Sequence, residues 1–337
     1  MRQTIAIVRN RKSIDYAQKN DPVHKQVSFI SRLLRELGWN VVDVEVDPNL
    51  KKFQSFLREM QPDIIFNLVD TFMGSGEMAN LMTSIFSNLR IPFTGTDSTV
   101  FAMTNDKLTT KWHLIAAGLL TPEGVDEKVL FRGCFPGPGR YIIKSRFDHS
   151  SLELNETSVV HADNAHMLFS ALENNKLKLG AACIVERFIA GREFSVSIAE
   201  SSAGKGFVFG IAEIIFSEKK QINIVEYKSL WKTASLKKQI TPESFFLKKP
   251  TTELTQRIER KAIDCWEELG LCGYARIVFR IDEEGKLYII DVSPNPNLSK
   301  DGAFLSTAKI GGWTSPDVIS MIVDGAMFRH QNKYKYD

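Results

Sequence analysis

The chain has 337 residues, 43% of them hydrophobic and 25% charged, with a formal net charge of only +3. That length exceeds what one small core organises, so two or three domains are expected, and the composition is that of a soluble globular protein. The near balance of 43 basic and 40 acidic side chains gives no bulk attraction to nucleic acid, and no apolar run approaches the ~18 residues of a membrane span.

Thr4–Val8 is a short apolar run that stops at Arg9-Asn10-Arg11-Lys12. It is too short and wrongly flanked for a signal peptide, and it reads as a strand. Val23–Leu37 sets Val27, Ile30, Leu33, Leu34 and Leu37 at helical spacing before Gly38, a helix stop. Val41–Val46 reads as a strand, Leu50–Met60 as a helix and Ile64–Val69 as a buried strand. Strands alternating with helices imply a parallel sheet, whose ligands gather at the carboxyl ends of its strands, here near Asn67–Glu77. After the turn-rich Ile91–Thr96 one helix is expected through Lys107 to Gly118. The Gly133–Arg140 loop then leads into the strand Tyr141–Lys144. Further strands are expected at Cys183–Arg187, Phe194–Ala199, Phe207–Phe216, Ile222–Tyr227, Ala275–Ile281 and Leu287–Val292, with one helix at Glu253–Leu269. Runs of strands broken by a helix argue for α+β here. Arg329–Asp337 is polar and reads as a frayed tail. Cys134, Cys183, Cys265 and Cys272 form no CxxC pair and read as small reduced core residues of a cytoplasmic protein.

Several residues stand where chemistry could use them. Lys107 and Lys111 lie about one helical turn apart, and Lys144 and Lys228 each end a strand. A lysine is a mobile point charge suited to polyphosphate, although a lone lysine is most often solvated surface. Lys144 is followed by Ser150-Ser151, whose hydroxyls and N–H groups could meet phosphate oxygens. Glu186–Glu193 joins two strands through Ala190-Gly191 and reads either as a polar hairpin connection or as a linker presenting carboxylate and backbone to a nucleotide base. Asp291 closes an apolar strand, a position that suits Mg2+, which binds one or two carboxylates with water and phosphate oxygens completing an octahedron.

Taken in order, these segments resemble the ATP-grasp superfamily, most closely D-alanine–D-alanine ligase and its relatives. The similarity runs over about Pro92–Val323 and is weaker before it. It is carried by Phe93-Thr94-Gly95, Asn105-Asp106-Lys107-Leu108 with Lys111, Lys144 with Ser150-Ser151, Glu186-Arg187-Phe188-Ile189 with Glu193, Lys228, and Arg276. The resemblance implies an α/β and α+β ATP-grasp architecture. A Rossmann-like parallel-sheet domain (1–98) would precede a central lid domain (99–185), an antiparallel-sheet catalytic domain (186–330) and a tail (331–337). It implies an ATP-dependent carboxylate–amine ligase that works through an acyl phosphate on amino-acid or peptide substrates, with ATP and Mg2+, in the cytoplasm and as a homodimer. Lys107, Lys144 and Lys228 would then meet the ATP phosphates, Glu186, Phe188, Ile189 and Glu193 the adenine and ribose, and Ser150 and Ser151 would close over the phosphates. Arg276 would stabilise the developing oxyanion.

The sequence departs from that family at named positions. Val278 stands where an acid is expected two residues after the arginine, leaving Asp291 as the conventional metal ligand, with Ser293 or Asn295 to complete the set. His24, Asp70, Ser229, Asn297 and Gly302 replace residues that surround the two D-alanines, so a different substrate pair is expected. The second reading is an ATP-binding protein of the same fold with impaired catalysis and a binding or regulatory role, favoured by Val278 and Ser293.

Overall fold

The computed structural model describes residues 2–10, 22–147, 158–215 and 246–333. The expected strand Ile222–Tyr227 and the residues Ser150, Ser151, Lys228 and Ser229 lie outside the described residues.

Strands β1 (Thr4–Arg9), β2 (Asn40–Glu45) and β3 (Ile64–Leu68) form a parallel sheet in the order β2-β1-β3. The run Ile5-Ala6-Ile7-Val8 is continuous rather than alternating because both faces of this strand are covered. Ile5 and Ile7 enter a core with α1 (Pro22–Glu36), and Ala6 and Val8 enter one with α2 (Leu50–Met60) and α3 (Asn80–Asn88). The chain's last helices, α9 (Ala303–Ile310) and α10 (Ser315–Lys333), complete the first of these cores through Phe304, Leu305, Val318, Ile319, Ile322 and Val323.

The tail expected from Arg329 onward is therefore corrected, since α10 continues to Lys333. Arg329 donates to Glu200 at 2.5 Å and to the carbonyls of Phe93 and Gly95 at 2.8 Å each. Buried acceptors on two other segments hold this polar helix end in place.

The single helix expected through Lys107 is two: α4 (Ser98–Asn105) and α5 (Lys107–Ala116). Asp97 caps the first and Asp106 the second, each carboxylate accepting N–H bonds from the turn that follows. A carboxylate bonded to those N–H groups takes extended backbone itself and so separates the helices.

A second sheet is antiparallel, ordered β4-β7-β5-β6, from β4 (Gly124–Val125), β5 (Gly139–Ser145), β6 (Val159–Ala162) and β7 (Cys183–Arg187). One face packs under α6 (Glu127–Phe131) and α7 (Ala165–Leu179) through Tyr141, Ile143, Cys183, Val185, Leu168 and Leu172.

The third sheet is antiparallel, ordered β10-β9-β8-β11-β12, from β8 (Arg192–Glu200), β9 (Gly206–Ile215), β10 (Phe246–Lys248), β11 (Tyr274–Ile281) and β12 (Leu287–Pro294). Helix α8 (Thr252–Glu268) covers one face through Ile258, Ala262, Cys265 and Trp266. Glu193, Ser195, Arg276 and Arg280 alternate with the core residues of β8 and β11 and so lie on the other face.

Strands β7 and β8 belong to different sheets. Glu186–Glu193 is thus a linker between sheets, and the hairpin reading is set aside. Gly191 makes the crossing possible, because at φ +129 a Cβ there would sit 1.9 Å from the Ile281 carbonyl oxygen. Cys183 and Cys265 are buried and Cys272 half-buried, as core residues should be; Cys134, in the loop after α6, is exposed, contrary to expectation. Among the described residues no helix is long and apolar enough to cross a membrane.

Candidate active site

The site lies where α5 meets the second and third sheets. Asp106 is held by Arg146 through two bonds of 2.8 and 2.7 Å, and the Lys107 N–H donates to the Arg146 carbonyl at 3.1 Å. These contacts lock the start of α5 onto the end of β5. Lys107 and Lys111, four apart on one helix face, are consequently both buried.

Alternation along the second sheet supplies the other charges. Tyr141 and Ile143 point into its core, so Lys144 lies on the opposite face; Cys183 and Val185 do the same for Glu186. Lys144 Nζ contacts Glu186 Oε2 at 2.8 Å, and Lys111 Nζ lies 3.4 Å from Glu186 Oε1. Lys111 also donates to the Thr121 hydroxyl at 3.0 Å, and that hydroxyl donates to the Ile289 carbonyl at 2.8 Å. Burial alone would raise the Glu186 carboxyl, but Lys111 and Lys144 together hold it below the usual carboxylate range. Burial outweighs Glu186 at Lys111 and pushes its ammonium down to about 8. Lys107, Lys111, Thr121 and Asp291 line one cleft.

The linker is clamped rather than loose. Glu193 accepts from Arg280 Nε at 2.9 Å and Nη2 at 2.6 Å, while Arg280 Nη1 donates to the Ile189 carbonyl at 2.7 Å. The Phe188 ring lies 5.1 Å from the Arg280 guanidinium and 5.5 Å from that of Arg140.

On β12 a bulge sets the acid. Val278 pairs with Asp291 but Phe279 pairs with Ile289, which leaves Ile290 as the extra residue. Val292 and Ile289 keep to the core, and the bulge brings Asp291 and Ser293 onto the face that carries Arg276. Asp291 Oδ2 accepts from the Ser293 hydroxyl at 2.8 Å and lies 3.7 Å from Arg276 Nη2. Arg276 Nε is buried and bonds no acceptor among the described residues. Asn295, at φ 48, accepts from the Thr96 N–H with its side-chain carbonyl at 3.3 Å. Among the described residues no three His, Cys, Asp or Glu side chains group as a metal site.

The residues expected around the substrate are spread over three segments. His24 is exposed near the start of α1. Asp70, exposed after β3, donates its N–H to Asn10 Oδ1 at 3.1 Å. Asn297 donates to Gln26 Oε1 at 2.6 Å and accepts from the Ser299 N–H at 2.8 Å; Gly302 follows at the start of α9. Sequence reasoning missed Gln26, Thr121, Arg146 and Arg280. The alternation 276, 278, 280 along β11 could have found Arg280, whereas nothing local marks Thr121.

A family model described as D-ala D-ala ligase C-terminus matches residues 143–324, more than half of the chain. The chain belongs to this ligase family. Over 296 residues it is 25% identical to the D-alanine–D-alanine ligase of Bartonella bacilliformis, covering 87% of this chain and 89% of that protein. It is also 25% identical over 302 residues to the D-alanine–D-alanine ligase of Aquifex aeolicus, covering 87% and 92%. Among solved structures, D-alanine–D-alanine ligase from Bacillus anthracis complexed with ATP aligns with a TM-score of 0.68 at 15% identity, over 98% of this chain and 99% of that one. VanG D-Ala:D-Ser ligase from Enterococcus faecalis aligns with a TM-score of 0.68 at 14% identity, over 97% and 100%. At such identities these structures establish the fold, which is ATP-grasp as the sequence led us to expect.

Proposed function

We propose that the chain is an ATP-dependent ligase that joins the carboxylate of one amino acid or small peptide to the amine of another, releasing ADP and phosphate. The observation that carries this reading is the buried set of three lysines: Lys107 and Lys111 line a cleft with Asp291, and Lys111 and Lys144 flank the buried carboxylate Glu186. Buried like charges repel, and an excess of cations persists where an anion is to be received. ATP supplies that anion. Its adenine amino group finds an acceptor in Glu186 Oε1, which is buried and takes no hydrogen bond from any described residue. Phe188, half-buried two residues further along the same linker, would add an apolar contact to the base. Glu193, already fixed by Arg280, would accept from the ribose hydroxyls.

Activation of the carboxylate as an acyl phosphate, followed by attack of the amine, needs mainly positioning and charge neutralisation. Arg276, with its unbonded Nε, provides fixed positive charge for the oxygen that becomes anionic. Asp291, oriented by Ser293, suits a single Mg2+ whose remaining ligands are water and phosphate oxygens. Magnesium there would offset charge on the phosphate oxygens.

Two D-alanines are not the substrates in this reading. His24 is exposed, Asn297 is committed to Gln26, and Gly302 has no side chain to grip a carboxylate. A homodimer, measurable by sedimentation velocity, and a cytoplasmic site of action, where ATP is available, belong to the same proposal. The test is ADP release with Mg2+ across amino acids and dipeptides, with the product identified by mass. Release that depends on a substrate pair is expected. ATP binding without turnover on any pair overturns the ligase reading and leaves an ATP-binding protein, and best turnover with D-alanine overturns the altered substrate.

A further inference from the structure

We propose that Lys111 is a positioning residue: it is the second counter-charge that holds Glu186 ionised and in place when Lys144 engages the nucleotide phosphates. The inference rests on the nucleotide-binding reading above and adds a role for a lysine in that site. Glu186 is 1% exposed, so its charge must be compensated by neighbours. The close contact, 2.8 Å, is with Lys144. A lysine fully engaged by a buried carboxylate offers a phosphate little net charge, and one that swings away strands the carboxylate. The structure resolves that conflict with a spare cation, since Lys111 Nζ stands 3.4 Å from the Glu186 oxygen that no described residue hydrogen-bonds.

Lys111 is built into this place. Its Nζ donates to Thr121, whose hydroxyl is tied in turn to the Ile289 carbonyl two residues before Asp291. Its stem runs past Gly124, where a Cβ would lie 2.9 Å from Lys111 Cδ, so any larger residue in β4 would displace it. The charged groups that face it are Glu186 on β7, Lys144 on β5 and Asp291 on β12. Lys111 thus joins α5 to both antiparallel sheets through one amine, and it serves the phosphates through Glu186 and Lys144.

The experiment is calorimetric binding of a non-hydrolysable ATP analogue with Mg2+, and of adenosine, to the full chain and to Lys111→Met, Glu186→Gln and the double variant. Lys111→Met should weaken the ATP analogue by about tenfold or more, a coupling of the size that contacting charges show, and adenosine far less. In the Glu186→Gln background no charge is left to hold, so Lys111→Met should cost less than about twofold further. Equal losses for both ligands, or losses that add in the double variant, overturn the proposal and leave a plain structural ion pair. If Lys111→Met does not fold alone, the double variant removes both buried charges, and its ATP-analogue affinity against Glu186→Gln still decides. Failure of the unaltered chain to bind the analogue would instead sink the nucleotide-binding reading.

Discussion

Val278 and Asp291 face each other in register on β11 and β12, and in the proposed function this pair would set how much metal the site holds. Val278 is 6% exposed and offers no oxygen, while Asp291 has one of its oxygens bonded by Ser293. A hard octahedral ion needs a carboxylate and gains most of its other ligands from phosphate and water, so on the proposed function the pair would support one ion. Titration with Mn2+ in the presence of ADP, read by electron paramagnetic resonance, should give a single bound ion per chain. Val278→Asp should add a second. Two ions on the unaltered chain would show that the hydroxyl of Ser293 or another oxygen does the work of a carboxylate. The same residue scale explains why the sequence marks Glu186 as a base-facing carboxylate and not also as the partner of two lysines. Its spacing in the linker was visible, whereas the two lysines that bury it come from α5 and β5, 75 and 42 positions earlier in the chain.

At the scale of elements, the start of α5 is the joint on which the lysines depend. Asp106 caps the helix by accepting the Leu108 N–H at 3.1 Å and takes the Arg146 fork as well. Burial alone would raise its carboxyl, but the bonds from Arg146 and Thr109 prevail and hold it below the ordinary 3.8. A depressed carboxyl contributes stability that is present above its unfolded value and lost as pH falls through the folded one. Stability from this group should therefore decline only below about pH 4. Asp106→Asn keeps a good cap but cannot ionise, so urea midpoints of the variant should be lower near neutrality and should fall less steeply below pH 4. Parallel acid limbs for the two proteins would remove Arg146 and Asp106 from the account. The division of the expected single helix at Asp106 follows from the same bonds, and a periodicity of apolar residues does not register them.

For the whole molecule, Arg329 on the last helix closes the chain onto its own junction. It bonds the carbonyls of Phe93 and Gly95 and pairs with Glu200, whose side chain is 7% exposed. Beside it Gly273, at φ +72, lies so close to Gly95 that a Cβ would come within 2.3 Å of backbone. Arg329→Ala would strand a buried carboxylate and two carbonyls, and should cost about 3–5 kcal/mol, read as a lower urea midpoint at unchanged slope. A loss below about 1 kcal/mol would mean that the apolar face of α10 alone docks the helix. The sequence by itself determined the parallel first sheet and most strands of the two antiparallel ones, because buried runs, alternation and turn residues are local, and it named Lys107, Lys144, Glu186, Glu193, Arg276 and Asp291, because those residues keep their order along the chain. Only the tertiary structure decided that β7 and β8 belong to different sheets, that Asn295 accepts the Thr96 N–H, and that Arg329 is pinned to Glu200 and to the carbonyls of Phe93 and Gly95. Each of these rests on a partner tens to hundreds of residues distant, and the pairing of buried charges and carbonyls across such distances leaves no mark in the spacing of neighbouring residues.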